Sequence, residues 1–135
     1  MPDLLRRPNG RHGLVHDITP ADAGWSYVGF ALHRLEAGEM ASAETGDEEA
    51  ILVLLEGKGE VSAGDQEFGE LGARMSVFEL VPPHAVYVPN GSRWQVTATT
   101  PLTLAVCRAP GKGGHAARVI GRQGIPTIVK GKGAN

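Results

Sequence analysis

Between Trp25 and Arg108 the apolar positions come in short blocks, and their spacing within each block is that of strands rather than helices. Trp25 to Leu35 (WSYVGFALHRL) is rich in aromatic and β-branched residues and predicts one long strand, with Gly38-Glu39 as the turn after it. Ala50 to Leu55 (AILVLL) is continuously apolar, short, and bounded by acidic residues and by Glu56-Gly57. It predicts a central strand buried on both faces. Glu60 to Ala63 and Glu67-Phe68, joined through Gly64-Asp65, predict a hairpin. Ser76 to Leu80, Ala85 to Val88, Arg93 to Thr99 and Leu102 to Arg108 continue the series. In the last of these, Leu102, Leu104 and Val106 alternate with Thr103, Ala105 and Cys107, the pattern of a half-buried strand. Pro82-Pro83, Pro89-Asn90-Gly91 and Thr100-Pro101 interrupt the runs where turns are wanted. One helical turn is predicted over Thr19 to Ala23, with Thr19 as cap and Pro20 at the first position. Short strands at this spacing predict an all-β chain, a double-sheet jelly roll in a single domain.

Composition supports that architecture. The 135 residues make one domain, and 19 glycines with 9 prolines, spread between the apolar runs, suit many turns better than disorder. A net charge of −2 gives no electrostatic case for nucleic acid or for an acidic membrane. No apolar run has the length of a membrane span, and the start, MPDLLRRPNGRHG, carries arginines with no apolar core behind them, unlike a secretory signal. The single cysteine excludes an intramolecular disulfide, and a reducing cytoplasm is the expected location. Cys107, inside an alternating run, is expected to be a buried small hydrophobe rather than a reactive thiol. After Arg108 the chain changes character: Ala109 to His115 is rich in glycine, and Lys130 to Asn135 ends it on glycine and lysine. This predicts a barrel over residues 1–110 and an exit segment over 111–135 leading toward a second domain absent from this sequence.

Two stretches carry a more specific rhythm. Gly38 to Gly57 (GEMASAETGDEEAILVLLEG) has the length and bounding glycines of the first cupin half-motif, which normally holds His-x-His and a following Glu. The histidine slots hold Glu44 and Gly46, and the glutamate slot falls on Ala50, beside Glu49. Gly72 to Ala98 carries Pro89 and Gly91 of the second half-motif, but the metal histidine is replaced by Trp94 and the asparagine by Ala98. The pattern predicts a cupin-like jelly roll, a double-stranded β-helix barrel, kept as a scaffold with its metal lost.

Several segments together resemble the 5-deoxy-glucuronate isomerases. They are LLRRP at Leu4 to Pro8, ITPADAGWSYVGF at Ile18 to Phe30, ETGDEEAILVLLEGKGEVSAG at Glu44 to Gly64, and FGELGARMSVFE at Phe68 to Glu79. AVYVP at Ala85 to Pro89, LAVCRAPG at Leu104 to Gly111 and the terminal GKGAN complete the match. Members of that family are bicupins of inositol catabolism, related to the ketol-isomerases of pectin degradation, and this chain resembles their first half only. The resemblance implies an aldose–ketose isomerase that takes 5-deoxy-glucuronate, a small sugar acid, to 5-dehydro-2-deoxy-gluconate. It implies a divalent metal of the zinc type held by the second half, no cofactor and no catalytic residue in this half, and an inactive isolated half. A homo-oligomer is also expected.

For a pocket, the candidates are Trp94, His84, Glu44, Glu49 and Tyr87. Trp94 either fills the volume that a metal and its water would occupy, or offers a sugar a stacking platform; small barrels usually plug their interiors, which favours filling. Glu44 and Glu49 belong to an acidic cluster with Asp47 and Glu48, and the ordinary reading of such a run is a solvated loop. As a pair they could instead hold a hard cation or serve as acid and base. His84, after Pro82-Pro83 and ahead of Tyr87, stands at a pocket edge or is a turn histidine with a local partner. His12 and His16 are weakly spaced for a metal, and Gly111 to Gly114 lacks the spacing of a phosphate loop. Arg74, Arg93 and Arg108 would grip a carboxylate if they converged. Two other classes compete with the isomerase half: a metal-free cupin that binds a sugar acid without turning it over, and a dimerisation domain.

Overall fold

The computed structural model describes residues 5–121 together with Pro126 and Ile128. The elements, in chain order, are β1 (Gly13–Ile18), α1 (Pro20–Ala23), β2 (Gly29–Leu35), β3 (Met40–Glu44), β4 (Glu48–Glu56) and β5 (Gly59–Ala63). They continue as β6 (Gln66–Leu71), β7 (Ala85–Val88), β8 (Arg93–Ala98), β9 (Leu102–Pro110) and β10 (Arg118–Ile120). A large sheet runs β1-β2-β9-β4-β7-β10 and a small sheet runs β3-β8-β5-β6, all neighbours antiparallel. The inward faces of the two sheets close on one core of Ala31, Leu52, Leu54, Val61, Val86, Val88, Trp94, Val96, Leu104 and Val106. The fold is the all-β jelly-roll barrel that the alternation predicts.

The two motif stretches are tied together by backbone bonds. The Gly38 N–H donates to the Ala98 carbonyl (2.7 Å), Thr45 to Ser92 (2.8 Å), and Gly91 to Gly46 (2.7 Å). The Thr45 hydroxyl is the hub of this seam. It lies against the carbonyls of Pro89 (2.8 Å) and Ser92 (3.0 Å) and accepts from the Ser92 N–H (2.9 Å). The closing glycine, Gly57, has φ of 95°, and a Cβ there would run into the Pro101 carbonyl oxygen. Only glycine satisfies both demands at once.

Predicted details hold where local chemistry decides them. Thr19 caps α1 in a reciprocal box with Asp22: the Asp22 N–H donates to Thr19 Oγ1 (3.1 Å) and the Thr19 N–H to Asp22 Oδ2 (3.2 Å). The β5–β6 hairpin turns on Gly64-Asp65, with Gly64 at φ of 61°.

Four expectations need correction. The strand predicted over Trp25 to Leu35 begins only at Gly29, because the chain is still leaving the α1 cap: Gly24 is left-handed and the Trp25 N–H returns to the Pro20 carbonyl (2.8 Å). Ser76 to Leu80 is no strand but a loop, held by bonds within itself and by anchors to the end of β4, where Glu56 Oε2 accepts from the Val77 N–H (3.3 Å). Phe78 N–H donates to Ser76 Oγ (3.2 Å), Glu79 N–H to the Ser76 carbonyl (3.1 Å), and Arg74 Nε to the Leu55 carbonyl (2.6 Å). β4 is buried on one face only: Ala50, Leu52 and Leu54 point into the core, while Ile51, Val53 and Leu55 are half-open on the other side. Cys107 shares that outer side and is exposed, not buried.

Beyond Arg108 the chain runs past the barrel and returns as β10, which pairs with β7. The apolar run Ile125 to Val129, except Pro126 and Ile128, and the terminal Gly-Lys segment lie outside the described residues. No helix among the described residues is long and apolar enough to cross a membrane.

Candidate functional site

The ends of β1, β2, β3, β4 and β9 surround a mouth that opens into the barrel. The cavity holds about 180 Å³ and is lined by Asp17, His33, Glu44, Thr45, Trp94 and Arg108, among others. Trp94 comes from β8, directly opposite Ala43 of β3 and Ala63 of β5, and strand alternation sends its indole inward. The side chain is 3% exposed and belongs to the core. His33, on β2, meets it edge to face, with ring centroids 6.0 Å apart and planes at 83°. Burial is the main cause that pushes the His33 imidazole below its ordinary range, so it is neutral at neutral pH. Arg108 reaches from β9 across β2 to β1, donating to Asp17 Oδ1 (3.2 Å) and to the Ile18 carbonyl (3.4 Å).

The five pocket candidates separate into three places. Trp94, Glu44 and Glu49 line the mouth. Glu44 points outward toward Arg93 (4.0 Å), and both are solvent-exposed, which makes a weak pair. Glu49 sits at the rim, where its Oε2 accepts from the Tyr87 hydroxyl (2.7 Å). That bond raises the Tyr87 pKa, with burial and the carboxylate charge acting in the same direction. Tyr87 faces the outside of the large sheet, in a shallow groove of about 620 Å³ with Ile51, His115, Arg118 and Ile120. His84 lines neither cavity. Its Nδ1 accepts the Gly72 N–H (2.9 Å), which makes it a turn histidine with a local partner. The three arginines do not converge: Arg74 is tied to the carbonyls of Leu55 and Val81, Arg93 lies on the outer face with Ser42 and Glu44, and only Arg108 reaches the mouth.

His33 and Asp17 are mouth residues that the sequence reading did not single out. Asp17 and Arg108 stand 91 positions apart, and only the β1-β2-β9 order joins them.

The slots do not fit a cupin-type metal. Glu44 is turned away, Gly46 is a turn glycine without a donor side chain, Ala50 is buried, and an indole with no lone pair to offer occupies the last position. Among the described residues no three His, Cys, Asp or Glu side chains gather closely enough to share an ion. A neutral imidazole, a salt-bridged Asp–Arg pair and a buried indole make a polar-rimmed barrel mouth.

Fold and mouth together define a cupin barrel without a cupin ligand set. Similar barrels at low identity support the class: a domain of Bacillus subtilis oxalate decarboxylase aligns with 77% of this chain and 27% of its own, with a TM-score of 0.57 at 14% identity. The chain belongs to the KduI/IolB family, whose model matches residues 4–135. A 5-deoxy-glucuronate isomerase of Geobacillus thermodenitrificans is 44% identical over 126 residues, which is 93% of this chain and 46% of the relative. That of Halalkalibacterium halodurans is 33% identical over all of this chain and 52% of its own length. The crystal structure of an IolB-like protein from Salmonella typhimurium matches with a TM-score of 0.87 at 42% identity, over 90% of this chain and 46% of that one. The chain thus spans about half the length of the curated relatives it matches.

Proposed function

We propose that this chain is the first barrel of an aldose–ketose isomerase that converts 5-deoxy-glucuronate to 5-dehydro-2-deoxy-gluconate in the cytoplasmic breakdown of inositol. In this reading residues 1–110 form a metal-free barrel, and residues 111–135 add β10 to the edge of its large sheet before leading out of it. The barrel acts as a structural and oligomerising partner to a second, catalytic half of the kind that completes the relatives' length. The reaction needs a base for the proton α to the carbonyl and a stabiliser for the enediolate oxygens. A divalent metal of the zinc type, expected in that second half, would supply the latter. The residues of this chain hold shape instead. Trp94 fills the interior, Thr45 pins the two motif stretches to each other, and Arg108 fixes the mouth through Asp17.

The observation that carries this reading is the burial of Trp94 at the slot of the metal histidine, in a cavity of about 180 Å³. Small-molecule pockets usually measure roughly 300–1,000 Å³, so this interior has little room to enclose a six-carbon acid. The test is turnover of 5-deoxy-glucuronate by the purified 135-residue protein and by the same chain joined to the second half of the Geobacillus relative. The expected result is turnover only in the joined protein. Full turnover by the isolated chain would refute the assignment of catalysis to the other half.

A further inference from the structure

We infer that the outer face of the large sheet is an interface, and that its partner is the second half of the family's length, the part that follows the segment matching β10. A two-layer antiparallel barrel ordinarily alternates apolar-in with polar-out, because its outer faces meet water. The register of the large sheet breaks that rule over two full rows. One row runs Ile18, Phe30, Cys107, Ile51, Tyr87 and Arg118. The next runs His16, Leu32, Ala105, Val53, Ala85 and Ile120. Charged or basic side chains stand only at row ends, Arg118 in the first and His16 in the second, and the Tyr87 hydroxyl is turned to Glu49. Ile51, Val53, Leu32 and Ile120 stay half-open, and Cys107 is exposed. An apolar centre inside a polar rim is the anatomy of a protein interface.

The occupant follows from length and from where the chain leaves. This sequence covers 46% of the Geobacillus relative and 46% of the Salmonella chain, so more than half of each lies outside the match. β10 is the edge strand of this very sheet, and Ile120 pairs with Ala85, so the backbone departs at the margin of the apolar rows. The loop that leads into β7 at that margin exposes Phe78 (89%) and Leu80 (102%). The groove at Tyr87 and Arg118 lies on the same edge and offers a seat for partner side chains. The inference rests on the proposed function's placement of this chain as the first half; it stands whether or not the second half is an isomerase.

Cys107, the lone thiol, sits in the middle of the first row and reports on its cover. Its rate of alkylation by a small maleimide is measured in the isolated chain, dilute and concentrated, and in the chain joined to the second half of the Geobacillus relative. Fast reaction in both isolated samples and a rate at least about tenfold slower in the joined protein are expected. Equal rates throughout overturn the inference. So does protection in the isolated chain that grows with concentration alongside a dimer in sedimentation, since the occupant is then a second copy. A readout without any fusion is fluorescence of 1-anilinonaphthalene-8-sulfonate with the isolated chain. Dye binding that Ile51→Glu abolishes while the far-UV circular dichroism is kept supports the inference, and an isolated chain that binds no dye contradicts it.

Discussion

The small sheet turns Ser42, Glu44, Glu60, Ser62, Glu67, Gln95 and Thr97 toward solvent, as their cross-strand register requires, while at the same depth the large sheet turns out Phe30, Leu32, Ile51, Val53 and Tyr87. Both sheets bury the same kind of inner face, and both alternate with a period of two that is interrupted at the register shifts of the β1–β2, β4–β9 and β5–β6 pairs. What differs is what the outer face must meet. A face that ends in water is written with charges and hydroxyls; one written with isoleucine, valine and phenylalanine is written to be covered. The barrel's two specialised features therefore lie on opposite sheets. The small sheet contributes the indole that closes the interior, and the large sheet contributes the surface that remains to be used.

The strongest way to break the comparison is from the inside. Trp94→Ala removes a core side chain that is 3% exposed and should cost about 3–5 kcal/mol in urea unfolding. A loss below about 1 kcal/mol would mean that the indole does not fill the barrel. Next, Thr45→Val strips the hub that joins the ends of β3 and β8, leaving the Ser92 N–H without its acceptor. It should cost about 1–3 kcal/mol by the same measurement. The outer faces give a smaller and more telling contrast. Val53→Glu on the large sheet and Gln95→Glu on the small sheet should each change the stability of the isolated chain by about 1 kcal/mol or less. Only Val53→Glu should weaken the joined protein. If Val53→Glu costs the isolated chain as much as Trp94→Ala, the large sheet's outer face is already core.

The smallest effect concerns pH. Burial lowers the His33 pKa in the folded state, so below its ordinary value of 6.5 the unfolded chain takes up the proton first. The contribution of His33 to stability is complete above that value and is lost as pH falls toward the lowered one. His33→Leu should therefore flatten the decline in the urea midpoint between pH 7 and pH 5. An unchanged slope would show that other groups set it.

Much of this was legible from residue order. Alternation in Leu102 to Arg108 locates β9, Gly64-Asp65 locates the hairpin, and Thr19-Pro20 locates the one helical turn, because each depends on neighbours in sequence. The substitution of Trp94 for a ligand was readable because the motif glycines around it fix the register. Two errors came from trusting residue type over geometry. Val77, Phe78 and Leu80 look like a strand, yet their backbone bonds go to Ser76 and Glu56 side chains and to turns rather than to a sheet, and they end exposed. Cys107 is a common core residue, yet the alternation that buries Leu104 and Val106 places it on the opposite face. The cluster of Asp17, His33 and Arg108 was not legible at all. β1 and β2 follow one another in the chain, but β9 meets them only in the sheet, and no spacing along the chain encodes that order.

The most direct measurement is the metal content of the folded 135-residue protein after incubation with zinc, manganese, iron and nickel salts and desalting. A barrel whose four ligand positions hold an outward-turned glutamate, a glycine, an alanine and an indole should retain far less than one ion per chain. One tightly held divalent ion per chain, resistant to desalting and released on unfolding, would contradict the account.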